Sequence, residues 1–550
     1  MSAVSAAPQS SADPGWRRWR AVVSIVVLVV VAGGTTHHLW AEPGWPSSHE
    51  GTAFAVRTEV YADHLRAGDV LPVWSSRDNA GFGSPQPALY HKLFYLTSGT
   101  LRAAGTPIRA ALVLAVVGFL VVGAAGTRRL ATILGSSEPF STAAGVALLL
   151  ANYTATNWLT RGALAELSAA MLVPWFLVAV AASIERRCVQ WSVAFSAAAM
   201  YWAHSVLCAY VVALSGAGLA IAMALRWLDR ATFLSRRAAG VAAVGAALVA
   251  PAALVTRQMV RGYDLSRMLP PTYLPDANIA PFSRYLYDPG WHWGERVAGL
   301  TVMLDTPMLL LAIASLGAWL LNRSPAVPAW PASARWAALV LGLTLLLQTQ
   351  AAGVLYRNVP GADYLQFPWR LLALVTPLVI VLAIGFLERA AARTVGVAMA
   401  AIALGAMLLL GPTFATLHDE RLALDAGQPG VVFGSFGEFV PTAEGSPSPR
   451  SGSAIELEQA RQRCTVNPAP TSGADVTSLS FDVDCDVPAV IPLPVFRNDL
   501  QRVSVEGAGT SAGCRSVDGW EAYCGVGLPA GPTHVVVRLP RFWDVLRGLL

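Results

Sequence analysis

Charge is scarce in this chain. Only 13% of its 550 residues are Asp, Glu, Lys or Arg, about half the share of a soluble domain, which excludes an ordinary water-soluble fold. There is no Walker loop, no Gly-x-Gly-x-x-Gly in a strand–turn–helix setting, no Cys-x-x-Cys and no zinc-ligand spacing. No nucleotide engine and no cofactor is evident, and a divalent metal ion is neither supported nor excluded. Cysteine is sparse too, with six in all.

What is present instead is apolar. Hydrophobic residues make up 54% of the chain and mean hydropathy is +0.50, the profile of a polytopic α-helical membrane protein. Reading for runs of about 20 residues predicts eleven transmembrane helices, near 21–39, 108–126, 140–158, 163–184, 190–204, 206–225, 238–256, 302–321, 336–355, 368–387 and 394–412. The stretch 190–225 is interrupted at His204 and reads either as two short helices or as one long tilted one. The first run follows "RRWR" without a small-x-small cleavage site, so an uncleaved anchor is expected, with a cleaved signal as the alternative.

The pI near 9.0 does not point to nucleic acid, because the arginines sit in short clusters after alternate spans. Arg17, Arg18 and Arg20, Arg128 and Arg129, Arg186 and Arg187, Arg236 and Arg237, and Arg389 and Arg393 all fall on one side if the N-terminus is cytoplasmic. Residues 1–20 then form a cytoplasmic segment, 21–412 the transmembrane domain, and 40–107 and 257–300 outer loops.

After a linker at 413–439 the character changes. "SLSFDVDC", "QRVSVEG" and "HVVVRLP" alternate apolar and polar residues between Gly, Pro and Ser clusters, predicting an extracytoplasmic β-sandwich over 440–540. Cys464, Cys485, Cys514 and Cys524 lie there; four cysteines allow three pairings, and proximity favours Cys464–Cys485 and Cys514–Cys524. Cys188 and Cys208 read as small hydrophobes. The tail 541–550, "RFWDVLRGLL", is too short to span and reads as an amphipathic turn on the membrane surface or the stub of a further helix.

Three places gather polar residues where helices leave the membrane. His49 and Glu50 follow the first span, and Phe54, Arg57, Val60, Tyr61, His64 and Leu65 then recur at helical spacing, predicting an interfacial helix with one apolar and one charged side. Glu50 either reaches a reaction centre at the membrane surface or, with His49, caps that helix. In "LTRGALAELSAAMLVPWFL", Arg161 and Glu166 are five apart and would point about 140° apart on one continuous helix. A charge at mid-bilayer costs about 2.5–3.5 kcal/mol, so a compensating role is required. Either the two pair to fix helix packing, or Glu166 faces inward while Arg161 holds an anion. In "GADYLQFPWRLLALVTPL", Arg370 stands in the first turn of a helix, against the dipole. It either holds a phosphate bidentately or snorkels to the headgroups. His204 reads as a hydrogen-bonded structural residue, and Asp305 as the N-cap of the helix that follows it.

Four stretches together resemble a family of large bacterial membrane proteins described as 6-pyruvoyl-tetrahydropterin synthase-related: "GDVLPVWSSRDNAGFGSPQPALYHKLFYL", "LTRGALAELSAAMLVPWFL", "YLQFPWRLLAL" and "FGEFVPT". That family is similar to the GT-C class of membrane glycosyltransferases, which act on polyprenyl-phosphate-linked sugars from a first outer loop carrying an acidic residue. The resemblance implies a multi-pass protein of the bacterial cytoplasmic membrane, with membrane lipid, a polyprenyl-phosphate-linked sugar and a glycan or envelope acceptor as partners. It places the catalytic base on Glu50, with Arg161 and Arg370 on the departing lipid phosphate and Glu166 orienting Arg161. His49 and His204 join the substrate-binding set. A non-catalytic scaffold that binds glycan or lipid is the alternative. A transporter has least support, because few charges lie at mid-depth and no broken-helix repeat is visible.

Overall fold

The computed structural model describes residues 14–51, 53–259, 261, 263, 271–286, 304–321, 330–390, 393–410, 421–422, 452–468, 476–506, 511–517 and 520–549. The predicted linker, apart from residues 421–422, and most of the loop 257–300 lie outside them, as does "FGEFVPT".

A bundle of apolar helices carries the fold, and the chain is a polytopic α-helical membrane protein. Five described helices are long and apolar enough to cross a bilayer: Ile108–Ile133, Leu164–Glu185, Ser205–Ala224, Arg230–Met259 and Pro368–Arg389. Ala332–Leu346 and Gln350–Asn358 make a sixth if counted together, but they bend by 79°. Each of the other predicted spans holds a helix: Pro14–Thr35, Phe140–Leu150, Ser192–Ala203, Thr306–Leu321 and Arg393–Leu410. The helices Ile108–Ile133 and Leu164–Glu185 pack closely because Gly123 carries no Cβ; one there would stand 2.4 Å from Met171 Sδ.

The expected span 140–158 is corrected. Its helix stops at Leu150, Ala151 is extended with ψ 137°, and a new turn begins at Asn152. Asp305 explains the restart: its carboxylate accepts the Asn152 N–H at 2.9 Å. Asp305 thus serves another segment's helix start, a role that its own neighbourhood in the sequence does not show. At 190–225 the chain forms two helices, because His204 is extended (φ −165°) and its Nδ1 accepts the Leu207 N–H.

The helix Ala53–Arg66 also departs from expectation. Most of its charged side chains face inward: Arg57, Glu59 and His64 are buried, and Asp63 and Arg66 near its end keep contact with water. Each of the buried three has a partner: Arg57 with Glu50, Glu59 with Arg102 and His64 with Asp69. The helix lies along Leu93–Ala103 so closely that a Cβ on Gly99 would sit 2.7 Å from Tyr61 Cβ.

Arg128, Arg237 and Arg389, each from a different cluster, lie at one end of the bundle. Arg128 pairs with Glu138, Glu388 accepts the Ser137 N–H, Arg389 donates to the Leu134 carbonyl and Arg237 to that of Val189. The loop 40–107 and the β-rich region occupy the opposite end.

In the β-rich region, seven strands follow the helix Gly452–Arg461: β3 (Cys464–Pro468), β4 (Ser478–Cys485), β5 (Ala489–Phe496), β6 (Arg502–Val505), β7 (Ser511–Ala512), β8 (Tyr523–Leu528) and β9 (Gly531–Arg538). They form an antiparallel sheet in the order β3-β4-β9-β6-β7 and a separate pair β5-β8. Disulfides join Cys464 to Cys485, directly opposite on β3 and β4, and Cys514 to Cys524. The core of this region is shared with the membrane domain: Trp74 and Phe82 of the first outer loop and Val255 and Met259 of a membrane helix join its cluster. The Phe496 N–H donates to the Phe82 carbonyl at 2.8 Å. Two further short strands, Trp45–Pro46 (β1) and Arg421–Leu422 (β2), pair across the same end. The tail forms the helix Phe542–Arg547, whose Phe542 ring lies against Trp202 at the end of a membrane helix.

Candidate active site

The turn at Arg161 organises the site. After Asn152–Ala155 the backbone widens into a π-type turn over Thr156–Thr160, and the Arg161 N–H reaches back to the Thr156 carbonyl. Gly162 follows in the left-handed region (φ +65°), and any Cβ there would lie 2.4 Å from Ser48 Oγ. This close approach admits the first outer loop: the His49 N–H donates to the Thr160 carbonyl and the Glu50 N–H to that of Arg161, both at 3.1 Å. Two sites that sequence separates by more than a hundred residues are stitched together through backbone.

The break also resolves the 140° problem. Arg161 precedes the helix Leu164–Glu185, so its guanidinium folds back onto the first turn. Nη1 and Nη2 donate to Glu166 Oε1 and Oε2 at 2.6 and 2.9 Å, a bidentate pair, and Nη1 also meets Asn157 Oδ1 at 2.5 Å. The guanidinium stacks over the Trp369 ring, 4.6 Å from its centroid. Most Arg161 donors are thus engaged by Glu166 and Asn157.

Arg370 turns inward and does not snorkel. Its Nε is 3.1 Å from Glu166 Oε2, and its Nη1 donates to the Leu365 carbonyl and Gln366 Oε1. The Tyr153 hydroxyl lies 2.7 Å from Glu166 Oε1 and 3.1 Å from the Arg370 carbonyl. Two guanidinia thus face one buried carboxylate, leaving one surplus positive charge. His204 borders the group, its Nε2 3.9 Å from Glu166 Oε2, and its ring stacks on His91 at 3.7 Å.

Among the described residues the Glu50 side chain caps no N–H of the helix Ala53–Arg66; the Ala53 N–H goes to the Glu50 carbonyl. Its carboxylate accepts from Arg57 Nη1 at 2.7 Å and from the Tyr90 hydroxyl at 3.1 Å. The Arg57 guanidinium stacks over Tyr90, 3.9 Å from the centroid, and also reaches the Tyr95 hydroxyl. Burial, and then the Glu50 charge, hold Tyr90 above its ordinary range, so it remains a proton donor. Glu50 keeps a quarter of its side chain exposed, whereas Glu166 keeps 3%.

Burial, and then the Arg161 charge, lower His49 from its usual range. Burial, with neighbouring His204 and Lys92, drops His91 further. Both imidazoles are therefore neutral at pH 7. Lys92, the chain's only lysine, is pushed down to about 7 by burial, and its Nζ donates to the Pro87 and Ala88 carbonyls.

Of the expected residues, Arg161, Glu166, Arg370 and His204 converge on one cluster, and His49 and Glu50 adjoin it through the backbone. Sequence reading missed Arg57 as partner of Glu50, and Tyr90, His91, Tyr153 and Trp369. Arg57 was visible only as part of a helical face, and Tyr90 and His91 stood unremarked in an aromatic loop. Tyr153 lay inside a presumed continuous span, where an isolated polar hydroxyl is a signal to look for a buried acceptor. Among the described residues no group of three His, Cys, Asp or Glu could hold a metal ion.

No family model matches the chain, and no curated protein does. Among solved structures it is similar to the arabinofuranosyltransferase AftD from Mycobacteria, with 18% identity over 72% of this chain and 26% of that one, and a TM-score of 0.45. It is also similar to the Archaeoglobus fulgidus oligosaccharyltransferase in its apo form, with 10% identity over 73% of this chain and 56% of that one, and a TM-score of 0.46. The chain thus spans about a quarter and about half of these proteins' lengths. At TM-scores below 0.5 neither likeness bears on function.

Proposed function

We propose that the protein is a GT-C-like glycosyltransferase that moves a sugar from a polyprenyl-phosphate donor to a cell-envelope or exopolysaccharide acceptor. In this reading the arginine-cluster end faces the cytoplasm, and Glu50 and the β-rich region face outward. The observation that carries it is a partly exposed carboxylate, Glu50, bonded by backbone to an arginine pair with one positive charge in excess. An anionic leaving group and a proton acceptor are the two things a glycosyl transfer from a lipid phosphate requires.

The acceptor hydroxyl attacks the anomeric carbon, and its proton passes to Glu50. The carbon–oxygen bond to phosphate breaks, and its electron pair leaves on the lipid phosphate. Arg370, whose Nη2 meets no partner among the described residues, stabilises that charge, with Arg161 behind it. Glu166 positions both guanidinia. Tyr90 and Arg57 hold the Glu50 carboxylate in place. The test is transfer in proteoliposomes from a polyprenyl-phosphate sugar, comparing wild type with Glu50→Gln at equal folded content. Loss of transfer supports the reading; unchanged transfer overturns the role of Glu50.

One observation favours a non-catalytic scaffold that binds glycan or lipid. Arg57 pairs directly with Glu50, so the carboxylate is already engaged by a fixed cation. In that case Glu50→Gln leaves lipid binding and partner recruitment unchanged, and no donor sugar is consumed.

A further inference from the structure

A second arginine-rich site lies away from Glu50 and Glu166. Between the β-rich region and the end of the membrane helix Arg236–Met259 there is a cavity of about 770 Å³. Arg502, Arg538 and Arg541 line it, with Ser478, Gln258 and Asp544. Ser478 on β4 pairs in register with Arg538 on β9, and Arg538 in turn with Arg502 on β6. Three strands therefore present a hydroxyl and two guanidinia in one row across the sheet.

Like charges directly opposite on neighbouring strands repel. Nothing described offsets this row: neither Arg502 nor Arg538 forms an ion pair among the described residues, and the lining carboxylate, Asp544, is bonded to Arg547. Arg541 adds a third guanidinium, held toward the cavity by its bond to the Thr477 hydroxyl. The opposite face of the same strands is core, with Val503, Val535 and Val537 buried, so the arginines are committed to the cavity side.

The cavity also sits at the rim of the membrane domain. Gln258 belongs to the last turn of a spanning helix. The wall helix Phe542–Arg547 buries Phe542 against Trp202 while leaving Trp543 exposed. An exposed tryptophan and an exposed arginine on one short helix are the interface-anchoring pattern.

We propose that this cavity binds a phosphate group, with Arg502 and Arg538 as its paired ligands and Arg541 and Ser478 completing the donor set. Its position against the bilayer makes an anionic lipid headgroup one source of that phosphate; a soluble phosphate or phosphorylated glycan is the other.

The test uses the full-length protein in detergent, titrated separately with a short-chain phosphatidylglycerol, its phosphatidylcholine counterpart and inorganic phosphate, with binding followed by native mass spectrometry. Wild type should bind phosphatidylglycerol in preference to phosphatidylcholine, and Arg502→Gln/Arg538→Gln should weaken that binding by roughly tenfold or more. Binding of inorganic phosphate with the same sensitivity to the double variant supports the site and assigns the soluble source. Equal binding of both lipids, or anion binding unchanged in the double variant, overturns the proposal. The thermal midpoint keeps the result interpretable. Without ligand the double variant should melt no lower than wild type, since it removes a repulsion, and phosphatidylglycerol should raise the midpoint of wild type alone.

Discussion

Glu50 and Glu166 have the same kinds of partner and opposite situations. Each carboxylate meets an arginine and a tyrosine, Arg57 and Tyr90 for the first, Arg161 and Tyr153 for the second. Glu166 is almost wholly buried and has a second arginine, so its oxygens are committed and it serves as a fixed counter-charge. Glu50 is partly exposed and has a single arginine, so an incoming hydroxyl can reach it. The lesson is that residue type does not separate a sealed carboxylate from an accessible one; exposure and the count of facing charges do, and the proposed roles of Glu166 and Glu50 rest on that difference.

The largest way to test this contrast is Glu166→Gln. Removing one member of a buried ionic group leaves the others uncompensated and costs about 3–5 kcal/mol, so the thermal midpoint in detergent should collapse. Glu50→Gln should weigh more on transfer than on stability. Stability should fall, but less than for Glu166→Gln, because Arg57 is buried while Glu50 keeps a quarter of its side chain exposed and faces one arginine rather than two. Transfer in proteoliposomes should fall by about 10²–10⁴-fold, the range for loss of a general base. A Glu50 variant as unstable as the Glu166 one would erase the distinction.

Arg370→Gln sharpens it next. Arg370 meets Glu166 through one nitrogen where Arg161 meets it through two, so the substitution should weaken polyprenyl-phosphate binding by about tenfold, one charged hydrogen bond's worth, with less loss of stability than Arg161→Ala. Equilibrium binding and melting on the same samples check both.

The smallest effect is a pH dependence. The pKa of His91 is lower in the folded protein than in the unfolded chain, so acidification protonates the unfolded state first. Stability should therefore be lost as pH falls below about 6.5, by up to about 1.4 kcal/mol per pH unit. His91→Gln should flatten the melting profile between pH 7 and 5. The window isolates His91 from the carboxylates, whose protonation in the unfolded chain begins nearer about pH 4.

The sequence alone determined the helical membrane class and the change to strands after residue 440, and it marked the interruption at His204 without choosing between two helices and one. Each rests on local signals: uninterrupted apolar runs, alternation with period two, a polar residue between apolar segments. It also singled out Glu50, Arg161, Glu166 and Arg370, because charge is conspicuous where it is expensive. Only the tertiary structure decided what those residues do to one another. The stop at Leu150 depends on Asp305, more than a hundred and fifty residues away. The Arg161–Glu166 pair needs the π-type turn and Gly162, and the Glu50–Arg161 adjacency needs a glycine small enough to let Ser48 approach. The physical reason is that helix and strand periodicities are set by near neighbours, whereas a buried charge is stabilised by whichever partner packing brings within hydrogen-bond reach.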